Sequence, residues 1–203
     1  MVQSLAYLRE SASQTAGPYV HIGLAPGAAG FDIFASELGQ DIAGPAATGE
    51  RIRVEGAVYD GSGTTVKDVL IEVWQADAAG IYPHSADPRA DAAAAGFRGW
   101  GRVISDFDTG LWGFDTIKPG SVMGRNNRPM APHLNLWIVA RGINIGLNTR
   151  LYFDDEDNSA DPVLNLVEQP ARRATLIAAR TAPGIYRFDI RLQGDGETVF
   201  FDI

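Results

Sequence analysis

The segment "APHLNLWIVARG", residues 131–142, sets His133 and Asn135 two positions apart. Apolar Leu134, Leu136, Ile138 and Ala140 alternate there with His133, Asn135, Trp137, Val139 and Arg141, the period-two pattern of a strand with one buried face, so His133 and Asn135 project to the same side. Donors at that spacing can share one metal ion, but a metal wants His-x-His and this strand supplies His-x-Asn. The chain has three histidines, His21, His84 and His133, in three separate segments, so an imidazole-built metal site is thinly supplied. Tyr82-Pro83-His84 puts a phenol beside an imidazole in a loop, which local sequence alone reads as an ordinary surface loop. "DFDTG" carries Asp106 and Asp108, yet the twelfth position of a calcium loop would fall on Ile117, so it is a hairpin turn. The acidic run Asp154, Asp155, Glu156, Asp157 and Asp161 reads as a solvated loop, and "GLAPGAAG" neither follows a strand nor opens a helix in the manner of a phosphate cradle. Arg141 shares the side of His133, but eight residues of strand separate them by about 26 Å, so its guanidinium is expected to serve a salt bridge, an interface or an anionic ligand elsewhere.

The elements that must position these groups are mostly strands. From Arg51 onward "RIRVEGAVYD", "TVKDVLIEVWQAD", "GRVISDFD", "LWGFDTIKPG", "HLNLWIVARG", "NTRLYFDD", "GIYRFDIRLQG" and "ETVFFDI" are short β-rich runs separated by turn signals such as "DGSG", "DTG" and "KPG". Their spacing predicts an all-β fold over residues 51–203, an antiparallel β-sandwich or barrel. Residues 1–50 are rich in Gly, Ala and Pro and predict an extended N-terminal arm, with a short helical turn around "DIFASEL". One further helix is expected over "QPARRATLIAARTAPG", opened by Pro170 and stopped by Pro-Gly. With 203 residues, 45% of them hydrophobic, the chain can bury a core of its own. The net charge of -8 offers no field for nucleic acid or an anionic membrane, so an anionic ligand must meet a local arginine. There is no cysteine, which excludes disulfides and thiolate chemistry, and no signal-like start or membrane-length apolar run; the expected location is cytoplasmic.

Taken in order, "SQTAGPYVHIGL", "YDGSG", "EVWQADAAGIY", "DTGLWGFDTIKPG", "MAPHLNLWIVARGINIGLNTRLYFDDE", "PVLNLVEQPARRATLIAAR" and "YRFDIRLQGDGETVFFDI" resemble the intradiol ring-cleaving dioxygenases, and within them the non-iron subunits of two-chain members. The resemblance runs from about Ser13 to the C-terminus and implies a β-sandwich with extended loops. Catalytic chains of that family hold Fe(III) with two tyrosines and two histidines. By position Tyr82 matches the first tyrosine and His133 the first histidine, whereas Val122 stands for the second tyrosine and Asn135 for the second histidine. The resemblance therefore implies a degenerate site here, no catalytic set complete in this chain, and Fe(III) carried by a beta chain with which it pairs. It further implies that Thr15, Gly17, Pro18, Tyr19 and Arg141 line the partner's pocket, where protocatechuate and O2 are converted to 3-carboxy-cis,cis-muconate. Two other readings stay open: a stand-alone intradiol enzyme acting on another catechol, and a non-catalytic sandwich module for binding or scaffolding.

Overall fold

Alternation of apolar and polar residues from Arg51 onward drives strand pairing, and the computed structural model describes the result for residues 12–36 and 39–202. The first residues of the expected arm, 1–11, and part of the expected turn at "DIFASEL", 37–38, lie outside the described residues. Eleven strands follow: β1 (Arg51–Tyr59), β2 (Leu70–Trp74), β3 (Trp100–Ile104), β4 (Leu111–Ile117), β5 (Val122–Met123), β6 (Pro129–Met130), β7 (His133–Val139), β8 (Leu147–Phe153), β9 (Ile177–Ala182), β10 (Ile185–Arg187) and β11 (Ile190–Arg191). Two short α-helices accompany them, α1 (Pro18–Leu24) and α2 (Pro170–Ala174).

The strands join in the order β11-β1-β10-β9-β8-β7-β2-β3, with β4 on the other edge of β1 and β5–β6 a separate ribbon. The all-β class with few helices holds, while the main sheet is mixed rather than purely antiparallel. β10 and β11 run parallel to successive parts of β1, and β9 runs parallel to the end of β8. One wall of the fold is built on β1 and β4, the other on β3, β2, β7 and β8. Their inner residues meet in one cluster: Ile52, Val54, Trp112 and Phe114 from the first, Ile71, Val73, Leu134, Leu136, Ile138 and Leu151 from the second. Burial of such side chains contributes about 1.5–3 kcal/mol each. At the end of β2 the buried Gln75 clamps the walls, donating to the Ile117 carbonyl at 2.9 Å and accepting from the Thr116 hydroxyl at 2.8 Å.

Two helix expectations need correction. "QPARRATLIAARTAPG" is helical only over Pro170–Ala174 and then becomes β9. The Thr175 hydroxyl turns back onto the Arg172 carbonyl, and Leu176 and Ala178 are drawn into the interior where Ile177 and Ala178 pair with Tyr152 and Phe153. Tertiary pairing there outweighs helix propensity. The N-terminal turn forms at Pro18–Leu24 rather than at 32–36, because Pro18 supplies a preset φ at the first helical position. Residues 39–50 lie along the chain's own sandwich: Arg102 donates its amide to the Gly39 carbonyl at 2.8 Å, and Ile42 enters the core.

Two acidic segments also settle into defined roles. Asp106 closes the β3–β4 turn, its Oδ1 accepting from the Asp108 and Thr109 amides, as the turn reading expects. The run at 154–161 is more than a solvated loop. Asp155 and Glu156 bind Lys118 at 2.9 and 2.7 Å, and the buried Asp161 accepts from the Ala131, Val163 and Leu164 amides and from the Tyr152 hydroxyl. A buried carboxylate is tolerated because those donors replace its water.

Candidate functional site

The outer face of the second wall gathers the residues singled out on β7. Opposite residues in antiparallel strands share a face, so register alone aligns Trp100, Trp74, Asn135 and Arg150 in one row across β3, β2, β7 and β8. Two positions along, His133 faces Tyr152 on the same side. The loop after β2 then folds back and stacks Tyr82 on Trp74, ring centroids 5.6 Å apart and nearly parallel. Asp77 holds that loop, its buried carboxylate accepting from the Ala79, Ile81 and Ala94 amides. Gly80, at a φ of +73°, presses so closely on the Ser121 carbonyl that a Cβ there would collide with it. This fixes the Tyr82 loop against the segment leading into Val122.

The structure thus brings Tyr82, Val122, His133 and Asn135 into one region, and tests whether they suit a ferric ion. Val122 is buried and has no donor atom. The Asn135 amide nitrogen donates to the Trp74 carbonyl at 3.3 Å and lies 3.5 Å from the Tyr82 hydroxyl. Burial raises the Tyr82 phenol above its usual value, opposed by Asn135 and by the charge of Arg150, whereas ferric binding needs the phenolate. His133 places Nδ1 at 2.8 Å from the Ala131 carbonyl, which leaves Nε2 buried without a partner. Its pKa is pushed down to about 4 by burial first and then by Arg150, so it is neutral. Two side-chain donors, with a valine and an amide at the other two positions and a guanidinium close by, are too few to hold Fe(III). Among the described residues no group of three or more His, Cys, Asp or Glu is placed to hold a metal ion. Arg150 escaped the sequence reading because only the β7–β8 register reveals that it faces Asn135.

A second cluster forms at the far end of β7, where Arg141 leaves the strand. Gly142 adopts φ +88°, a left-handed corner suited to glycine, and its amide donates to Thr15 Oγ1 at 2.6 Å. The N-terminal segment is therefore tied to the Arg141 corner across more than a hundred residues of sequence. Gly17 and Pro18 follow as the first residues of α1's entry, and Tyr19 is 85% exposed. Arg141 Nε donates to Asp68 Oδ2 at 3.1 Å, while its side chain stays 72% exposed. Pro18, His21, Phe31, Lys67, Asp68, Phe107 and Arg141 surround an open hollow of about 480 Å³. His21 is buried edge-on to Phe107 and its pKa is lowered by burial, against the opposing charge of Asp68 and with a smaller push from Arg141, so the cationic side chains here are Arg141 and Lys67. Of the expected pocket residues, Thr15, Pro18 and Arg141 are brought together. Asp68 and His21, which the sequence reading had not connected with them, complete the corner. No helix among the described residues is long and apolar enough to cross a membrane.

These positions can be set against known proteins. The protocatechuate 3,4-dioxygenase alpha chain of Pseudomonas putida is 53% identical over 200 residues, covering 96% of this chain and 97% of the relative. The beta chain of the Burkholderia cepacia enzyme of the same name is 36% identical over 161 residues, covering 74% and 67%. Among solved structures, an intradiol ring-cleavage dioxygenase from Tetranychus urticae superimposes with a TM-score of 0.58 at 17% identity, covering 89% of this chain and 94% of that one, a likeness of fold. A family model described as dioxygenase matches residues 35–194, which include the sheet, all four positions of the incomplete donor set and Arg141 itself, and so the chain belongs to the dioxygenase family.

Proposed function

We propose that this chain is the non-iron alpha subunit of a heteromeric dioxygenase that opens protocatechuate with O2 to 3-carboxy-cis,cis-muconate. In this reading a homologous beta chain carries the Fe(III), and this chain lends Thr15, Gly17, Pro18, Tyr19 and Arg141 to the rim of the partner's pocket, the exposed side of the N-terminal arm at Tyr19, Phe31, Ile33 and Phe34 meeting the partner. The observation that carries it is the pairing of two features: a donor set reduced to Tyr82 and His133, and an exposed arginine corner tied by Thr15 to an exposed aromatic segment. The stand-alone reading is disfavoured by Val122 and Asn135, and a scaffold would have no use for a charge held ready at that corner. The cysteine-free composition suits a cytoplasmic enzyme.

Arg141 has one chemical task in this arrangement. Asp68 fixes Nε and leaves the terminal nitrogens of the guanidinium for another acceptor. The substrate's carboxylate is such an acceptor, and two unit charges about 4 Å apart attract by about 4 kcal/mol at a dielectric near 20, before desolvation. Arg141→Ala in the assembled heteromer should lower kcat/KM for protocatechuate by at least about tenfold and affect unsubstituted catechol much less. Arg141→Lys should also be impaired, since an ammonium cannot reproduce the planar fork. Unchanged kcat/KM for protocatechuate in an intact Arg141→Ala heteromer would refute the assignment.

A further inference from the structure

The outer face of β3–β2–β7–β8 carries more than a lost metal site. Arg150 stands half-buried in the middle of it, and among the described residues it pairs with no carboxylate: its terminal nitrogen reaches only Met130 Sδ and the Tyr152 hydroxyl, both at 3.4 Å. Of the acidic groups nearby, Asp161 reaches it only through the Tyr152 hydroxyl, which donates to Asp161 Oδ1 at 3.1 Å, and the others do not pair with it. Glu72 is engaged by Arg102 at 2.7 Å, and Asp202 lies exposed at the rim. Arg125, exposed and nearby, adds a second positive charge, also without an ion pair among the described residues. Beside Arg150 opens a cavity of about 520 Å³ walled by Trp74, Trp100 and Trp137, with the amides of Asn135 and Asn148 between them. That volume lies in the range of about 300–1,000 Å³ common to small-molecule sites. A half-buried arginine with no direct counter-ion favours an anion beside it, and flat indole walls favour a planar ring.

We propose that this cavity is a binding site for a small aromatic carboxylate, held by a salt link to Arg150 and by packing of the ring among Trp74, Trp100 and Trp137, with no chemistry performed on it. Of the four positions of the incomplete donor set only Asn135 lines this cavity, so the anion site lies beside that set rather than in its place. The proposal concerns this chain's own face and does not rest on what Arg141 does or on pairing with a second chain.

Three of the four tryptophans line the cavity, and the fourth, Trp112, is buried between the walls, so intrinsic fluorescence reports on the site. The full chain is titrated with benzoate, with benzamide, which keeps the ring and loses the charge, and with acetate, which keeps the charge and loses the ring. Benzoate should quench saturably and bind at least about tenfold more tightly than either. Arg150→Gln should reduce benzoate to the benzamide level, and Trp137→Ala, at the exposed mouth, should weaken it several-fold. Loss of binding in Arg141→Ala with retention in Arg150→Gln would move the ligand to the other corner. Equal binding of benzoate and benzamide, or no saturable quenching by benzoate in the folded chain, would overturn the proposal.

Discussion

A hydroxyl, a glycine and a guanidinium make the corner on which the functional reading depends. Thr15 Oγ1 accepts the Gly142 amide at 2.6 Å, and Gly142 can turn because it lacks a Cβ. Thr15→Val removes that acceptor at nearly constant volume. The Gly142 amide should then exchange with solvent about fivefold faster, the equivalent of about 1 kcal/mol, with the sandwich amides unaffected; hydrogen exchange resolved at Gly142 checks this. Gly17 behaves differently. Its backbone is extended, and a Cβ would meet nothing within 4 Å. Much at this scale was legible in sequence: His-x-Asn on one strand face, Val122 where a donor is wanted, and the separation of Arg141 from His133. Arg150 and Asp68 were not, since each gains its meaning from a partner on another strand or loop.

Among the elements, the β2 strand and the loop after it do most to place the Tyr82 ring. Asp77 gathers three amides and Gly80 allows contact with the Ser121 carbonyl at a φ of +73°. Gly80→Ala combines a left-handed backbone with a backbone collision and should destabilise the chain by about 2 kcal/mol or more, measured by urea unfolding at unchanged m-value. A loss near zero would mean that the loop is not fixed as described. The strands were readable from alternation and turn residues, and the runs from Arg51 to the Leu192 region found their places, whereas among the described residues "ETVFFDI" forms no strand beyond a single bridge from Phe201 to Asn148. The helix over 169–184 was not, because "TLIAAR" satisfies a helical pattern as well as a strand pattern; only the open edge of β8 decides between them. Parallel pairing of β10 and β11 with β1 likewise leaves no local trace in sequence.

At the scale of the whole molecule, a net charge of -8 leaves Arg141 and Arg150 as local exceptions in an acidic protein. Its stability should also respond to acid through His133. The folded pKa near 4 lies below the usual value of 6.5, so the unfolded chain binds a proton that the native one refuses. The stabilisation from keeping His133 neutral is complete above about pH 6.5 and is lost as the pH falls towards 4, amounting to roughly 3 kcal/mol. Burial lowers His21 in the same direction. Thermal unfolding of His133→Gln should therefore show a shallower fall in Tm between pH 7 and pH 4.5 than the parent chain does, whatever its stability at neutral pH. The central claim is that this chain completes another chain's site and holds no ferric centre of its own. It is tested most directly by measuring iron content and protocatechuate cleavage for the chain produced alone and together with a homologous chain bearing the full Tyr, Tyr, His, His set. The account predicts no stoichiometric iron, no ferric-phenolate colour and no turnover for the chain alone, with all three appearing in the pair. Stoichiometric iron and ring cleavage by the chain alone would contradict it.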